Sequence, residues 1–277
     1  MLLFLLSLAS FPQATPSRPI APHQPEAVQL LDKAAKKQNG TKRSDPIGGF
    51  HLNLNIRERG QSRNDYDLEL DFAAGREQIR ISLEDSKRST RISKGFDGKS
   101  YWLKEPDNAL LHLDGREFSQ DREAIEQAIE FSNRLLLLLD FKYLPEACEG
   151  LWLRENEAGP SIRGSLLLHG ELTYFYLILN PETLLTDRLR IGKPALDEKG
   201  TTIWEGSEPV FTQLTEYELL HYRDFKGLYA PQILREFHIL PAPIPKADSS
   251  PKTPSPSRIV EVHGLDWQNP PNTSPPK

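Results

Sequence analysis

The sequence predicts an α+β fold, a curved antiparallel β-sheet of about ten strands that forms an incomplete barrel covered by two helices. Three observations predict it. Segments of two-residue apolar alternation recur along most of the chain, and two amphipathic helical segments interrupt them. The strands come in runs instead of alternating one for one with helices, so βαβ units and a parallel sheet are excluded. A sheet of so many twisted strands curls or closes, and its apolar face then becomes a concave wall that needs a cover.

The first helix is Pro25-Glu-Ala-Val-Gln-Leu-Leu-Asp-Lys-Ala-Ala-Lys-Lys37. Proline suits its first turn, while Glu26 and the late lysines oppose the helix dipole. Ala27, Val28, Leu31, Ala34 and Ala35 share one face, and Asn39-Gly40 can end it. Period two then takes over. Phe50, Leu52, Leu54 and Ile56 alternate with polar residues, as do Tyr66, Leu68, Leu70 and Phe72, and Ile79, Ile81 and Leu83 repeat the scheme. Such strands belong to an antiparallel meander with one wet face. Turns are expected at Gly60–Asn64, at Ala73–Gly75 and at Asp97-Gly98, the last before a strand over Lys99–Leu103, and Ala109–Leu113 adds a short strand. The second helix spans roughly 120–141, with Ile125, Ala128, Ile129, Ser132, Leu136 and Leu139 on one side. Its second half, Leu135–Leu139, is apolar all round and predicts burial on more than one face. Alternation resumes in Ser161–Leu168, Leu172–Asn180, Leu185–Ile191, Thr201–Trp204, Leu214–Tyr222 and Leu228–Ile239.

Proline and the chain ends set the domain organisation. Of 23 prolines, five lie within Pro12–Pro25 and ten in the last 37 residues, and dense proline marks extended, unpaired chain. Residues 1–25 are therefore expected as a signal peptide and Pro-rich leader, 26–240 as the folded domain, and 241–277 as a Pro-rich flexible tail. Within that tail Arg258–His263 alternates like a strand and offers a late edge strand or recognition segment instead. Leu2–Ala9 has the length of a signal-peptide apolar core, followed by small residues at Ala9, Ser10 and Ala14. No basic residue precedes it, which leaves open a start further upstream or a buried strand. The run is too short to span a bilayer, for which roughly 20 residues are needed, and no other segment qualifies as transmembrane. The expected location is periplasmic or otherwise extracytoplasmic, with the chain soluble after signal cleavage.

Three short motifs carry a resemblance. Phe96-Asp-Gly-Lys-Ser-Tyr-Trp-Leu103 resembles a strand motif of the outer-membrane lipoprotein carrier and lipoprotein-sorting (LolA/LolB-like) family. Tyr174-Phe-Tyr-Leu-Ile-Leu-Asn-Pro-Glu-Thr183 resembles a family strand that ends in a turn, and Leu220-His-Tyr-Arg-Asp-Phe-Lys-Gly-Leu-Tyr-Ala-Pro231 resembles a family hairpin. The likeness spans roughly residues 25–240. It implies an incomplete barrel with a helical lid whose concave face holds acyl chains. Two features depart from the family. The acyl-contacting arginine of some carriers has no counterpart that can be placed, and the anchoring cysteine of the acceptors is missing.

Composition and motifs exclude most other chemistry. Formal net charge is −5, from 34 basic and 39 acidic residues, which argues against nucleic acid as a partner. The single cysteine, Cys148, excludes an intrachain disulfide and any multi-cysteine metal site, and its acidic neighbours oppose nucleophile activation. The seven histidines show no metal-ligand spacing, and neither a Gly-x-Ser-x-Gly elbow nor a phosphate-binding glycine loop occurs. No catalytic residue, metal or cofactor is assigned, and the chain is not expected to be an enzyme. Asp65, Asp67, Glu69 and Asp71 share one strand face; this reads as a solvated or salt-bridged face, with Arg57, Arg76, Arg80 and Lys87 as available partners.

The expected function is an exported lipid- or lipoprotein-binding carrier that holds acyl chains in an apolar cavity under a helical lid. Alternation together with the family likeness selects the candidate contacts: Phe50, Leu52, Leu54, Tyr66, Leu68, Leu70, Ile79 and Ile81 on the strands, and Ile125, Ile129 and Leu136 on the second helix. The alternative is an envelope sensor or scaffold on the same fold, with a filled core and protein partners. The same residues line a packed core and an open pocket, so the sequence leaves both standing.

Overall fold

A computed structural model of the chain describes residues 23–39, 47–59, 65–73, 78–85, 90–142, 144–156, 159–168, 171–239, 255–269 and 271–275. The expected signal peptide, the turns at 60–64 and 74–75 and most of the proline-rich stretch after 240 lie outside these residues. Helix α1 (Pro25–Asn39) leads into six strands: β1 (Gly49–Glu58), β2 (Asp65–Ala73), β3 (Gln78–Asp85), β4 (Thr90–Phe96), β5 (Tyr101–Lys104) and β6 (Leu111–His112). A 3-10 turn (Arg116–Phe118), the long helix α2 (Ser119–Leu139) and the short α3 (Leu144–Ala147) follow. The second run is β7 (Gly150–Asn156), β8 (Gly159–Leu168), β9 (Glu171–Leu179), β10 (Thr186–Pro194), β11 (Trp204–Glu205), β12 (Glu208–Pro209), β13 (Phe211–Phe225), β14 (Leu228–Ile239) and β15 (Arg258–Asp266).

Among the described residues, thirteen strands form one antiparallel sheet in the order β6-β5-β4-β3-β2-β1-β15-β14-β13-β10-β9-β8-β7, with β11 and β12 in a separate hairpin. The sheet is an open half-barrel, because its terminal strands β6 and β7 do not pair. Two meanders are visible in that order. One runs outward from β1 to β6, and the other inward from β7 to β14. Helix α2 carries the chain from one edge to the other. Inward-facing residues of both meanders, with α1 and α2, make one apolar core.

The expectation of a flexible tail over 241–277 is corrected at residues 258–266. These form β15, which sits in the middle of the sheet between β1 and β14. Its alternation matches the slot. Val260 faces the core opposite Ile56 and Leu234, and Val262 opposite Leu54. A β-bulge falls at His263, between the Leu54–Val262 and Asn53–Gly264 pairs, so Leu265 also turns inward, opposite Leu52. The strand count rises for related reasons. β4 and β7, which alternation had not singled out, are recruited by pairing with β3 and β8.

The predicted strand Thr201–Trp204 is also corrected. Residues 195–210 form an excursion whose β11–β12 hairpin folds onto the outer face of the sheet. There the Arg163 guanidinium lies between the rings of Trp152 (4.9 Å) and Trp204 (5.3 Å) and donates to the Ser207 carbonyl at 2.6 Å. Trp204 also meets Tyr174 edge-on at 5.8 Å.

On the outer face of β1–β3, Asp67, Glu69 and Asp71 of the acidic row are paired, Asp67 accepting from the Asn55 amide at 3.0 Å. Arg80 donates to Asp71 through Nε (3.0 Å) and Nη2 (2.7 Å), His51 Nδ1 lies 3.0 Å from the other Asp71 oxygen, and Arg91 meets Glu69. Burial alone would raise the Asp71 carboxyl, but the His51 and Arg80 contacts outweigh it and hold the group below its ordinary range. The hydrogen bond to Asp71 in turn raises His51 above its ordinary value of 6.5, against an opposing effect of burial.

Two predictions follow from this architecture. Ending the chain before Arg258, or placing an unpaired charge in the core with Val260→Asp, removes the cooperative unfolding transition or lowers stability by several kcal/mol; an unchanged melting temperature would refute the central role of β15. The His51 contribution is complete below the unfolded value of 6.5 and fades as pH rises through the raised folded value. The Asp71 contribution is complete above its unfolded 3.8 and fades only as pH falls through its lowered value. His51→Ala therefore costs more stability at about pH 5.5 than at about pH 9 in chemical denaturation.

Candidate functional site

Helix α2 crosses the concave face of the sheet and is tied to both halves. Tyr101 donates to Glu126 at 3.0 Å and Lys94 to Asp121 at 3.1 Å, fixing it to β4 and β5. Arg134 Nη1 donates to the Tyr217 hydroxyl at 2.8 Å, fixing it to β13, and Gln38 of α1 donates to the Leu138 carbonyl at its C-terminal end. The helix buries Ile125 and Ile129 on one side and Phe131 on another, and Leu135, Leu137, Leu138 and Leu139 are buried in its last turns. Another side carries Glu123, Glu126, Gln127, Glu130 and Arg134 at helical spacing, and this polar stripe lines two clefts.

The first cleft, of about 580 Å³, lies between Phe96 and Tyr101 on one half of the sheet and Leu168, Thr173 and Ile191 on the other. Residues near opposite ends of the strand order thus share one cavity, which measures how far the sheet has curled. The Phe96 and Tyr101 rings stack 4.8 Å apart at its wall, and Ile129 forms part of its lining. The second cleft, of about 590 Å³, is lined by Arg59, Phe131, Glu236, His238 and Arg258 among others. Gln127, Glu130, Arg134, Lys193, Gln213 and Thr215 belong to both. Both volumes fall within the roughly 300–1,000 Å³ of small-molecule sites.

A charged cluster lines the second cleft, and Arg134 and Glu130 extend it to the first. Glu236 is almost fully buried; Arg258 reaches one of its oxygens through Nε (3.0 Å) and Nη2 (2.5 Å), and His238 Nε2 lies 3.3 Å from the other. Arg134 is held by Glu130 (2.5 Å) and Tyr217, and burial pushes the Tyr217 hydroxyl up to about 12. Cys148 is remote from this cluster in role: burial, then Glu149, push its thiol up to about 12, the opposite of an activated nucleophile. No group of three or more His, Cys, Asp or Glu among the described residues is placed to hold a metal ion. No helix among them is long and apolar enough to cross a membrane.

The candidate contact residues come together in the core. Phe50, Leu52, Leu54, Leu68, Leu70, Ile79, Ile81, Ile125 and Ile129 are buried, at 9% exposure or less, and Leu136 packs against them. Tyr66 pairs with Ile56 in the ladder, and its side chain lies outside the described residues. Of the ten whose side chains are described, Ile129 alone lines either of the two clefts. Among the aromatics, Tyr101 reaches a cleft, while Phe72, Phe175 and Tyr217 are core and Trp102, Tyr174, Tyr176 and Trp204 belong to the outer face. Sequence reasoning missed Arg134, Lys193, Glu236 and Arg258. The available signal was the Glu123–Glu126/Gln127–Glu130–Arg134 stripe on a helix whose other side is apolar.

The fold and clefts define an α+β half-barrel with a helical cover over its concave face. Solved structures similar to this chain include two bacterial proteins. A LolA superfamily protein from Nitrosomonas europaea matches at 10% identity over 88% of this chain and 94% of that one, with a TM-score of 0.47. A putative outer membrane lipoprotein-sorting protein domain from Vibrio parahaemolyticus matches at 8% identity over 88% and 92%, with a TM-score of 0.42. No protein-family profile and no curated protein matches the chain.

Removing the cation from the buried pair tests the cluster. Arg258→Met leaves the Glu236 carboxylate buried beside an apolar chain and is expected to cost about 3 kcal/mol in denaturant unfolding; a loss no larger than that of an exposed ion pair would show that the cluster is solvated.

Proposed function

We propose that this chain is an exported, non-catalytic binding protein that holds the acyl chains of a lipid or lipoprotein against the concave face of its sheet, beneath α2. The observation that carries the reading is the construction of the cover. A continuous apolar wall from both meanders is closed by one long helix, polar groups pin that helix, and open clefts flank it on either side. Displacing α2 presents the apolar stripe of the helix and the apolar wall of the sheet to the same ligand. Acyl burial then contributes roughly 0.8 kcal/mol per CH₂, offset by the cost of opening. The clefts give a chain a place to enter before the helix moves. An extracytoplasmic location belongs to the same proposal and rests on the apolar run at Leu2–Ala9.

A second reading is a scaffold or sensor whose core stays filled and whose ligand is an envelope protein. The tight packing of the candidate contacts favours it, since nine of them are already buried. Acyl loading separates the two. Mixed with a fluorescent long-chain fatty acid and followed by native mass spectrometry, the full chain is expected to form a one-to-one complex. Tyr101→Phe and Lys94→Met, which release the tethers of α2, should load faster. No complex with the wild type or with either variant would leave the scaffold reading in possession.

A further inference from the structure

We propose that the second cleft is an anion subsite, and that the ligand is an amphiphile carrying a phosphate or carboxylate head, seated on Arg134 and Arg59 beside the paired Lys193 and Arg258. This deepens the acyl-binding reading and rests on it. Three observations meet here. First, Arg134 stands on the wall shared by both clefts, and its Nε–H is buried with no acceptor among the described residues. Its two other assigned bonds, to Tyr217 and Glu130, leave a planar donor of five N–H groups incompletely used. Second, Arg59 lines the same cleft, is exposed and has no ion pair among the described residues. Third, the two clefts differ in sign. The first is lined by four carboxylates, Glu123, Glu126, Glu130 and Glu171, against Arg134 and Lys193. The second sets Arg59, Arg134, Lys193 and Arg258, with His238, against Glu58, Glu130 and Glu236; Lys193 is paired with Glu171 and Arg258 with Glu236, so Arg134 and Arg59 are the cations with donors to offer. An anion is therefore favoured on one side of α2 and disfavoured on the other.

The geometry gives such a ligand an orientation. Phe131 lines the second cleft beside the cations, with the Arg258 guanidinium 5.4 Å from its ring centroid, and it belongs to the core. A head bound at Arg134 and Arg59 thus places the first carbons of a chain at Phe131, where the apolar interior begins. Charge-assisted bonds from a guanidinium to phosphate or carboxylate are the strong class of hydrogen bond, and desolvation at Arg134 strengthens them further.

The test compares three probes on the full chain by titration calorimetry: a monoacylglycerol, the corresponding monoacylglycerol phosphate, and inorganic phosphate. The acyl phosphate is expected to bind at least about tenfold tighter than the neutral lipid. Added salt should narrow the difference. Arg59→Met, at the exposed rim, should shrink that preference while leaving neutral-lipid affinity in place; Arg134→Met, which also releases the α2 tether to Tyr217, should shrink the ratio of the two affinities, and Arg59→Met keeps the test valid if that more buried variant fails to fold. Inorganic phosphate that binds as tightly as the acyl phosphate would overturn the amphiphile in favour of a free anion. Equal affinity for charged and neutral lipid overturns the anion subsite and leaves the acyl-binding reading intact. Binding of none of the three overturns both.

Discussion

Everything in this sheet depends on the pairing of β15 with β1 on one side and β14 on the other. Without it the chain holds two separate meanders, one of six strands and one of six, whose facing strands are not paired to each other. Each meander would present an unpaired strand in the middle of an apolar surface, where open N–H and C=O groups are most costly. β15 satisfies both edges at once. It also adds Val260, Val262 and Leu265 to the core where the two halves meet. The strand that arrives last in the chain is therefore the seam that makes one curved wall out of two.

That wall explains why α2 has the composition it has. A helix lying in a curled sheet is flanked by protein on more than one side, so a single apolar stripe does not suffice. Its C-terminal turns, apolar all round, fill the deep end of the half-barrel, while its middle keeps a polar stripe toward the two clefts. The charged groups beneath it are expensive there unless paired, and Glu236 with Arg258 and Arg134 with Glu130 and Tyr217 meet that condition. These tethers position the cover without the dense interlocking of an all-apolar interface. A cover held this way can exchange its polar contacts with water when it moves, which apolar contacts cannot do.

The far edges are handled separately. At β7, the Gln24 backbone N–H donates to the Leu151 carbonyl and its side chain accepts from the Leu153 N–H, which blunts an otherwise open edge. On the outer face, the β11–β12 hairpin covers Arg163, Tyr174 and Tyr176, so aromatics that would otherwise face solvent form a small second cluster. The outer surface of the first meander uses charge instead, with Asp71 held between His51 and Arg80.

Local period carried far into this structure. Alternation at Phe50–Ile56 and Leu68–Phe72, the face of Ala27–Ala35 and the all-round apolar Leu135–Leu139 each put the right residues inward, because side-chain direction within an element follows from its own backbone geometry. The same rule made Arg258–His263 look like a strand, yet composition around it argued for an unpaired tail. Only tertiary structure decided that this strand lies at the centre, since its partners Leu54 and Leu234 come from distant parts of the chain and the gain is shared by both halves. The clefts were hidden for a like reason. Phe96, Leu168 and Ile191 meet through the curl of the whole sheet, and Arg134, Glu236 and Arg258 through the seam, and neither is a property of any one segment. The sequence by itself determined which face of each element is apolar; which element each face meets was decided by the nonlocal pairing that buries the most surface while leaving the fewest backbone groups unpaired.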